Sequence, residues 1–123
     1  MKKIIILLFC FIAFIIGSCA KEPIPDDKAK FIGQWRQIEK GDATYEIDIN
    51  EDATGKYGSY ESGKTVEFTG YVKFQGSTQF TIGGKLIKKK ISVDKAPQKI
   101  VESLQPYVFR YEATFNGVKF KKQ

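Results

Sequence analysis

Thr65-Val66-Glu67-Phe68-Thr69-Gly70-Tyr71-Val72-Lys73-Phe74 is the stretch whose reading decides the fold. Val66, Phe68, Gly70, Val72 and Phe74 alternate with Thr65, Glu67, Thr69, Tyr71 and Lys73. Successive side chains of a strand point to opposite faces, so this period of two predicts a strand with one apolar face. Working outward, Gly76-Ser77 is a tight turn into Thr78–Ile82, where Phe80 and Ile82 share a side. On the other flank, Ser62-Gly63 turns the chain back onto Lys56–Tyr60. Earlier still, Tyr45, Ile47 and Ile49 alternate with Glu46, Asp48 and Asn50 before a polar turn, and Trp35–Lys40 opens the series. Downstream, Gly83-Gly84 leads into a strand over Lys85–Val93. Tyr107, Phe109, Tyr111, Ala113 and Phe115 then alternate with polar or outward positions. Asn116-Gly117 is a type I′ hairpin signal, and Val118 and Phe120 mark the last strand.

One segment breaks this rhythm. Asp94 reads as the cap of a short helix with Pro97 in its first turn, Ile100, Val101 and Leu104 on one side, and Pro106 after its end. The expectation is therefore an all-β domain of eight short antiparallel strands with a short helical insertion before the last hairpin. An all-β chain of this size covers its apolar face by closing on itself or by stacking two sheets. Hairpins joining most strands favour an up-and-down barrel, and a two-sheet β-sandwich is the alternative.

The N-terminus has a different character. Lys2 and Lys3 precede an uncharged, almost wholly apolar run from Ile4 to Ile16. That run is the length of a signal-peptide core and shorter than the roughly 20 residues of a spanning helix. Ile16-Gly17-Ser18-Cys19 closes it and resembles the lipobox of bacterial lipoproteins. The resemblance implies removal of residues 1–18, cleavage between Ser18 and Cys19, and diacylglycerol plus an N-acyl chain on Cys19. Several acyl chains together hold a protein stably on a membrane, where one is marginal. Ala20 stands where an aspartate would resemble an inner-membrane retention signal, so the implied address is the outer membrane. Lys21-Glu22 and Asp26-Asp27 are similar to the acidic surface-export tether of Bacteroidetes lipoproteins, which leaves the periplasmic face and the cell surface both open. Residues 19–30, with Pro23 and Pro25 and no apolar rhythm, read as a tether ending in a helical turn, and 31–123 as the domain.

Composition narrows the chemistry. The chain has no histidine, which excludes imidazole-based triads and the usual zinc sites. Its two cysteines are Cys10, inside the signal, and Cys19, so the domain is read as having no thiol for a disulfide or a nucleophile. Lys64 onward holds 12 basic and 4 acidic residues, against 6 basic and 10 acidic over Cys19–Gly63. A basic second half suits anionic headgroups, or serves only to keep strands soluble; nucleic acid is a poor partner for an exported chain.

Phe31-Ile32-Gly33-Gln34-Trp35 resembles the Gly-x-Trp opening of lipocalins and the wider calycin group. Tyr45–Asp52 with Thr54–Tyr57 is similar to the second and third strands of short lipocalin-like lipoproteins of Bacteroidetes. The resemblance spans about 31–122, with its sharp part in about thirty residues. It implies a barrel whose tryptophan, Trp35, closes one end against a basic side chain from a late strand. Arg110, the one arginine late in the chain, is the candidate for that contact. It also implies binding of a small apolar or lipid-like molecule rather than catalysis.

The lining expected for such a ligand is Tyr45, Tyr57, Phe68, Phe80, Phe109 and Tyr111, with Trp35 at the closed end. Aromatic faces mixed with phenol hydroxyls suit a lipid or an aromatic compound. The same residues would serve equally as a filled core, in which case the chain acts through its outer surface on a protein partner. Lys88-Lys89-Lys90 interrupts a strand, and a bulge or a strand end at the rim would let the Lys89 stem pack while its charge reaches water. Asp48, Asn50 and Asp52 have the spacing of calcium ligands. Ala53 then replaces the required glycine and Ser59 the bidentate glutamate, so no metal is expected. Glu46 and Asp48 alternate with apolar residues and are expected to face solvent, so no catalytic pair is assigned.

Overall fold

The computed structural model describes residues 23–123. The readings of 1–18 as a signal and of Cys19 as a lipid attachment lie outside these described residues. Among the described residues, no helix is long and apolar enough to cross a membrane.

A six-residue 3₁₀ helix, Asp26–Phe31, precedes eight strands: β1 (Gly33–Gln37), β2 (Thr44–Ile49), β3 (Thr54–Glu61), β4 (Lys64–Gln75), β5 (Gln79–Gly83), β6 (Lys88–Leu104), β7 (Tyr107–Phe115) and β8 (Val118–Lys122). Each pairs antiparallel with its neighbour in chain order, and β1 meets β8 with Trp35 opposite Lys122 and Gln37 opposite Phe120. The eight strands therefore form one closed ring, not two stacked sheets. Curling one sheet this tightly needs places where backbones approach closely. Gly70 (φ 147°) and Gly83 (φ 145°) supply one, since a Cβ on Gly70 would lie 2.6 Å from the carbonyl carbon of Gly83.

Antiparallel order puts alternate turns at opposite ends. The start of β1 and the β2–β3, β4–β5 and β6–β7 turns form what we call the lower end; the other four turns form the upper end. The lower end is filled. Phe31 packs its ring at 5.0 Å from Phe74 and 6.1 Å from both Phe80 and Phe115. The indole N–H of Trp35 donates to the Phe31 carbonyl at 2.8 Å, and its ring meets Phe115 edge-on at 5.5 Å. Fully burying each such ring contributes about 1.5–3 kcal/mol. Ile24 packs against the same cluster, so packing begins before Phe31, inside the segment expected to be a free tether.

A basic side chain does cover Trp35, but it is Lys122. Its ammonium sits 5.2 Å from the Trp35 ring and 4.9 Å from Tyr111, and donates to the Lys30 carbonyl at 2.9 Å. Arg110, expected in this place, faces the other way. It is paired with Glu102 and, at 2.6 Å, with Glu112 on the outer face, because β7 parity puts Tyr111 inward. Burial lowers the pKa of Lys122 from the ordinary lysine value of 10.5. The unfolded chain thus holds more proton than the folded one just below pH 10.5, and stability gains there as pH rises. Lys122→Met, which keeps the stem, is expected to abolish that gain when melting curves at pH 8 and pH 10 are compared with wild type. Lys122→Ala uncovers Trp35 and is expected to lose about 1–2 kcal/mol at neutral pH.

The predicted helical insertion is absent. β6 runs unbroken from Lys88 to Leu104, with register shifts at Val93/Lys95, Lys95/Gln98 and Val101/Ser103. Asp94 accepts from the Gly117 backbone N–H at 2.6 Å, so it bonds the neighbouring β7–β8 turn instead of capping its own chain. Pro97 sits within a shift, where a missing N–H breaks no ladder bond. The last shift brings Val101 and Leu104, three residues apart, onto one face opposite Phe109 and Tyr107. Bulged-strand spacing there imitates a helix.

Candidate functional site

The upper end is open, and its hollow is the candidate site. It is a cavity of about 270 Å³ lined by Tyr45, Ile47, Tyr57, Phe115, Val118 and Phe120, with Lys89, Lys90 and Asn116 at its mouth. Strand pairing explains the set. Ile47 lies opposite Tyr57 and Tyr45 opposite Ser59 on the β2–β3 pair, while Phe115 faces Val118 and Ala113 faces Phe120 on the β7–β8 pair. The hairpin turn at Asn116-Gly117 sets that last register.

Lys89 remains on the inner face. The β5–β6 register is continuous, Ile82 opposite Lys89 and Phe80 opposite Ile91, so there is no bulge; β6 begins at Lys88, and Lys89 sits at the strand end, the other of the two expected arrangements. The stem instead passes along the wall and puts the ammonium 5.2 Å from the Tyr57 ring. Tyr57 packs at 6.5 Å from Tyr45 and 6.2 Å from Phe68. Burial, and after it the neighbouring Tyr45, raises the Tyr57 pKa, so its hydroxyl stays a neutral donor at physiological pH. The Tyr45 backbone N–H donates to Gln37 Oε1 at 3.0 Å, tying the rim of β2 to β1. The result is an aromatic cup with two lysines at its mouth and the buried Tyr57 phenol in its wall, able to hold an apolar body with a polar or anionic end.

The seven residues expected to line a ligand separate into three places. Tyr45 and Tyr57 line the cavity, and Phe68 abuts Tyr57 beside it. Trp35 and Phe80 are wholly buried in the filled lower half, and Tyr111 lies under the Lys122 ammonium. Phe109 is not inside: it is 44 % exposed, because β7 outruns β8 there. Ile47, Val118, Phe115 and Phe120 were not expected in the site. The alternation through Asn116-Gly117 carried the signal for the last three.

Glu46, Asp48 and Asp52 are otherwise engaged. Asp48 accepts from Arg36 at 2.7 Å and Glu46 lies 3.8 Å from the same guanidinium, on the outer face. Asn50 donates to Thr54 Oγ1 at 2.9 Å, and Asp52 Oδ1 accepts from the Thr54 backbone at 3.1 Å. These bonds account for the calcium-like spacing as turn chemistry. A second hollow of about 400 Å³ lies on the outside, against Lys73, Lys85, Lys88 and the buried Thr81.

Compared with protein-family models, curated proteins and solved structures, the chain matches none.

Proposed function

We propose that the chain is a lipocalin-like barrel lipoprotein of the bacterial outer membrane, anchored through lipid on Cys19, that binds a small apolar or lipid-like molecule in its upper cavity. The observation that carries the reading is the asymmetry of the ring: a filled lower half under an open, aromatic-walled cup with Lys89 at its mouth. Its volume falls just under the roughly 300–1,000 Å³ of drug-sized sites, which suits a small occupant or the end of an acyl chain. Lys89 favours an occupant with an anionic group. The reading is of a binding protein and not an enzyme; the paired carboxylates Glu46 and Asp48 face outward, away from the cup, and are held by Arg36.

The test uses residues 20–123, incubated with an envelope lipid extract and examined by native mass spectrometry. One adduct of constant mass is expected, and Val118→Trp, which fills the cup, is expected to abolish it while leaving the circular dichroism unchanged. A bare mass across extracts from several growth states sinks the proposal. A second reading, a surface-acting inhibitor or accessory subunit, is favoured by the lysine-walled outer hollow. It predicts loss of function from Lys85→Glu with Lys88→Glu, and none from Val118→Trp.

A further inference from the structure

The β6–β7 hairpin projects from the lower end with a face that, among the described residues, no other element covers. Tyr107 lies five residues beyond Glu112, where pairing of β7 with β8 begins, so at about 3.4 Å per residue the tip stands about 17 Å past that point. Leu104 is 80 % exposed there, Tyr107 53 %, Val101 46 % and Val108 40 %. Val101, Leu104, Tyr107 and Phe109 share the face that continues the inner wall of the ring. On the opposite face Arg110 is paired with Glu102 and Glu112, one positive charge between two negative ones. Lys99 lies between tip and ring with its ammonium 4.3 Å from Phe109 and 5.0 Å from Tyr107, a cation on an apolar stem.

The chain leaves toward residues 1–22 at this same end. The 3₁₀ helix leads into the start of β1 and touches β6, and Ile24 packs on the lower cluster. From Cys19 to Pro23 is four residues, at most about 14 Å when fully extended. Cys19 is therefore held within about 14 Å of Pro23, on the end of the ring from which the hairpin projects. We propose that the β6–β7 hairpin lies in the headgroup and upper acyl region of the membrane that carries the lipid anchor, with Leu104 and Tyr107 inserted and Lys99 at phosphate level. This rests on the anchoring reading above. It gives the chain a second membrane contact, fixing which end of the ring faces the bilayer.

The full chain, purified with its lipid from a bacterial envelope, is reconstituted into vesicles of phosphatidylethanolamine and phosphatidylglycerol carrying brominated acyl chains. Trp35 is buried and common to all samples, so an added tryptophan reads its own surroundings. Emission from Leu104→Trp, and from Tyr107→Trp as a second probe, is expected to shift to shorter wavelength and lose roughly half its intensity, as for side chains about 5–10 Å into the interface. Leu86→Trp, at a still more exposed apolar position on the upper end (93 % exposed), is expected to show neither change. Equal quenching at both ends, or a blue shift without quenching as a second copy of the chain would give, overturns the proposal. Flotation separates its failure from that of the anchor. A chain that floats with unquenched Leu104→Trp overturns the docking alone, and one that stays in the aqueous fraction overturns both.

Discussion

Gly70→Val is expected to lower the melting temperature by roughly 15 °C or more, the largest loss we foresee from a single change. Two costs combine. A side chain at φ 147° is strained wherever it stands, by about 1–3 kcal/mol. The new Cβ would also meet the Gly83 carbonyl carbon and oxygen, each at 2.6 Å, and its Cα at 2.9 Å. These are backbone atoms of the adjacent strand, at a residue whose own φ is 145°, so neither side can turn away. Together the two costs are of the same order as the 5–15 kcal/mol by which a domain of this kind is stable. Gly76→Ala is the control. Its φ is 67° but nothing lies within 4 Å of the added Cβ, so only the left-handed cost of about 1 kcal/mol applies. Thermal circular dichroism on the pair checks the argument. Equal, small losses would mean that the close approach of β4 and β5 does not govern closure.

Phe115→Ala is expected to destabilise by about 3–5 kcal/mol, seen as a lower urea midpoint with an unchanged slope. Phe115 is fully buried and its ring meets Phe31, Trp35, Phe80 and Phe120, at 6.1, 5.5, 5.5 and 5.6 Å. It is thus the side chain shared by the 3₁₀ helix and strands β1, β5 and β8. Truncation would leave a cavity that Trp35, held by its bond to the Phe31 carbonyl, is not free to collapse into. Phe115→Leu keeps most of the volume and should lose clearly less. If the two variants unfold at the same midpoint, the lower half is more plastic than its geometry indicates.

The strands were legible where neighbours in sequence are also neighbours in space. Alternation in β4 and β7, with turns at Gly76-Ser77 and Asn116-Gly117, is local information, and each of these elements appears where the pattern puts it. What could not be read depends on distant chain. Phe109 has the parity of an inward residue, yet β8 pairs no farther than Glu112, and nothing near Phe109 encodes the length of β8. Phe80 reads as part of the cup because its strand gives its face but not its height. Phe31, from outside the sheet, fills that level. Arg110 is singled out as the one late arginine, whereas the side chain that covers Trp35 is a lysine, Lys122, whose spacing from Phe120 puts it on the inner face. In β6, the bulges that suit Pro97 also erased the period of two, and the remaining spacing matched a helix better than a strand.

The seam between β1 and β8 bears on the order of events in folding. Every other ladder joins strands adjacent in sequence and can form as they emerge, whereas this one joins Trp35–Gln37 to Phe120–Lys122, more than eighty residues away. Such a contact pays its loop-closure entropy late and tends to slow folding. Until Val118–Lys122 has left the ribosome, β1 and β7 both present open edges and Trp35 has no cover. A nascent chain in that condition is unfinished and still threadable, so synthesis of the final strand sets the earliest moment at which the ring can lock.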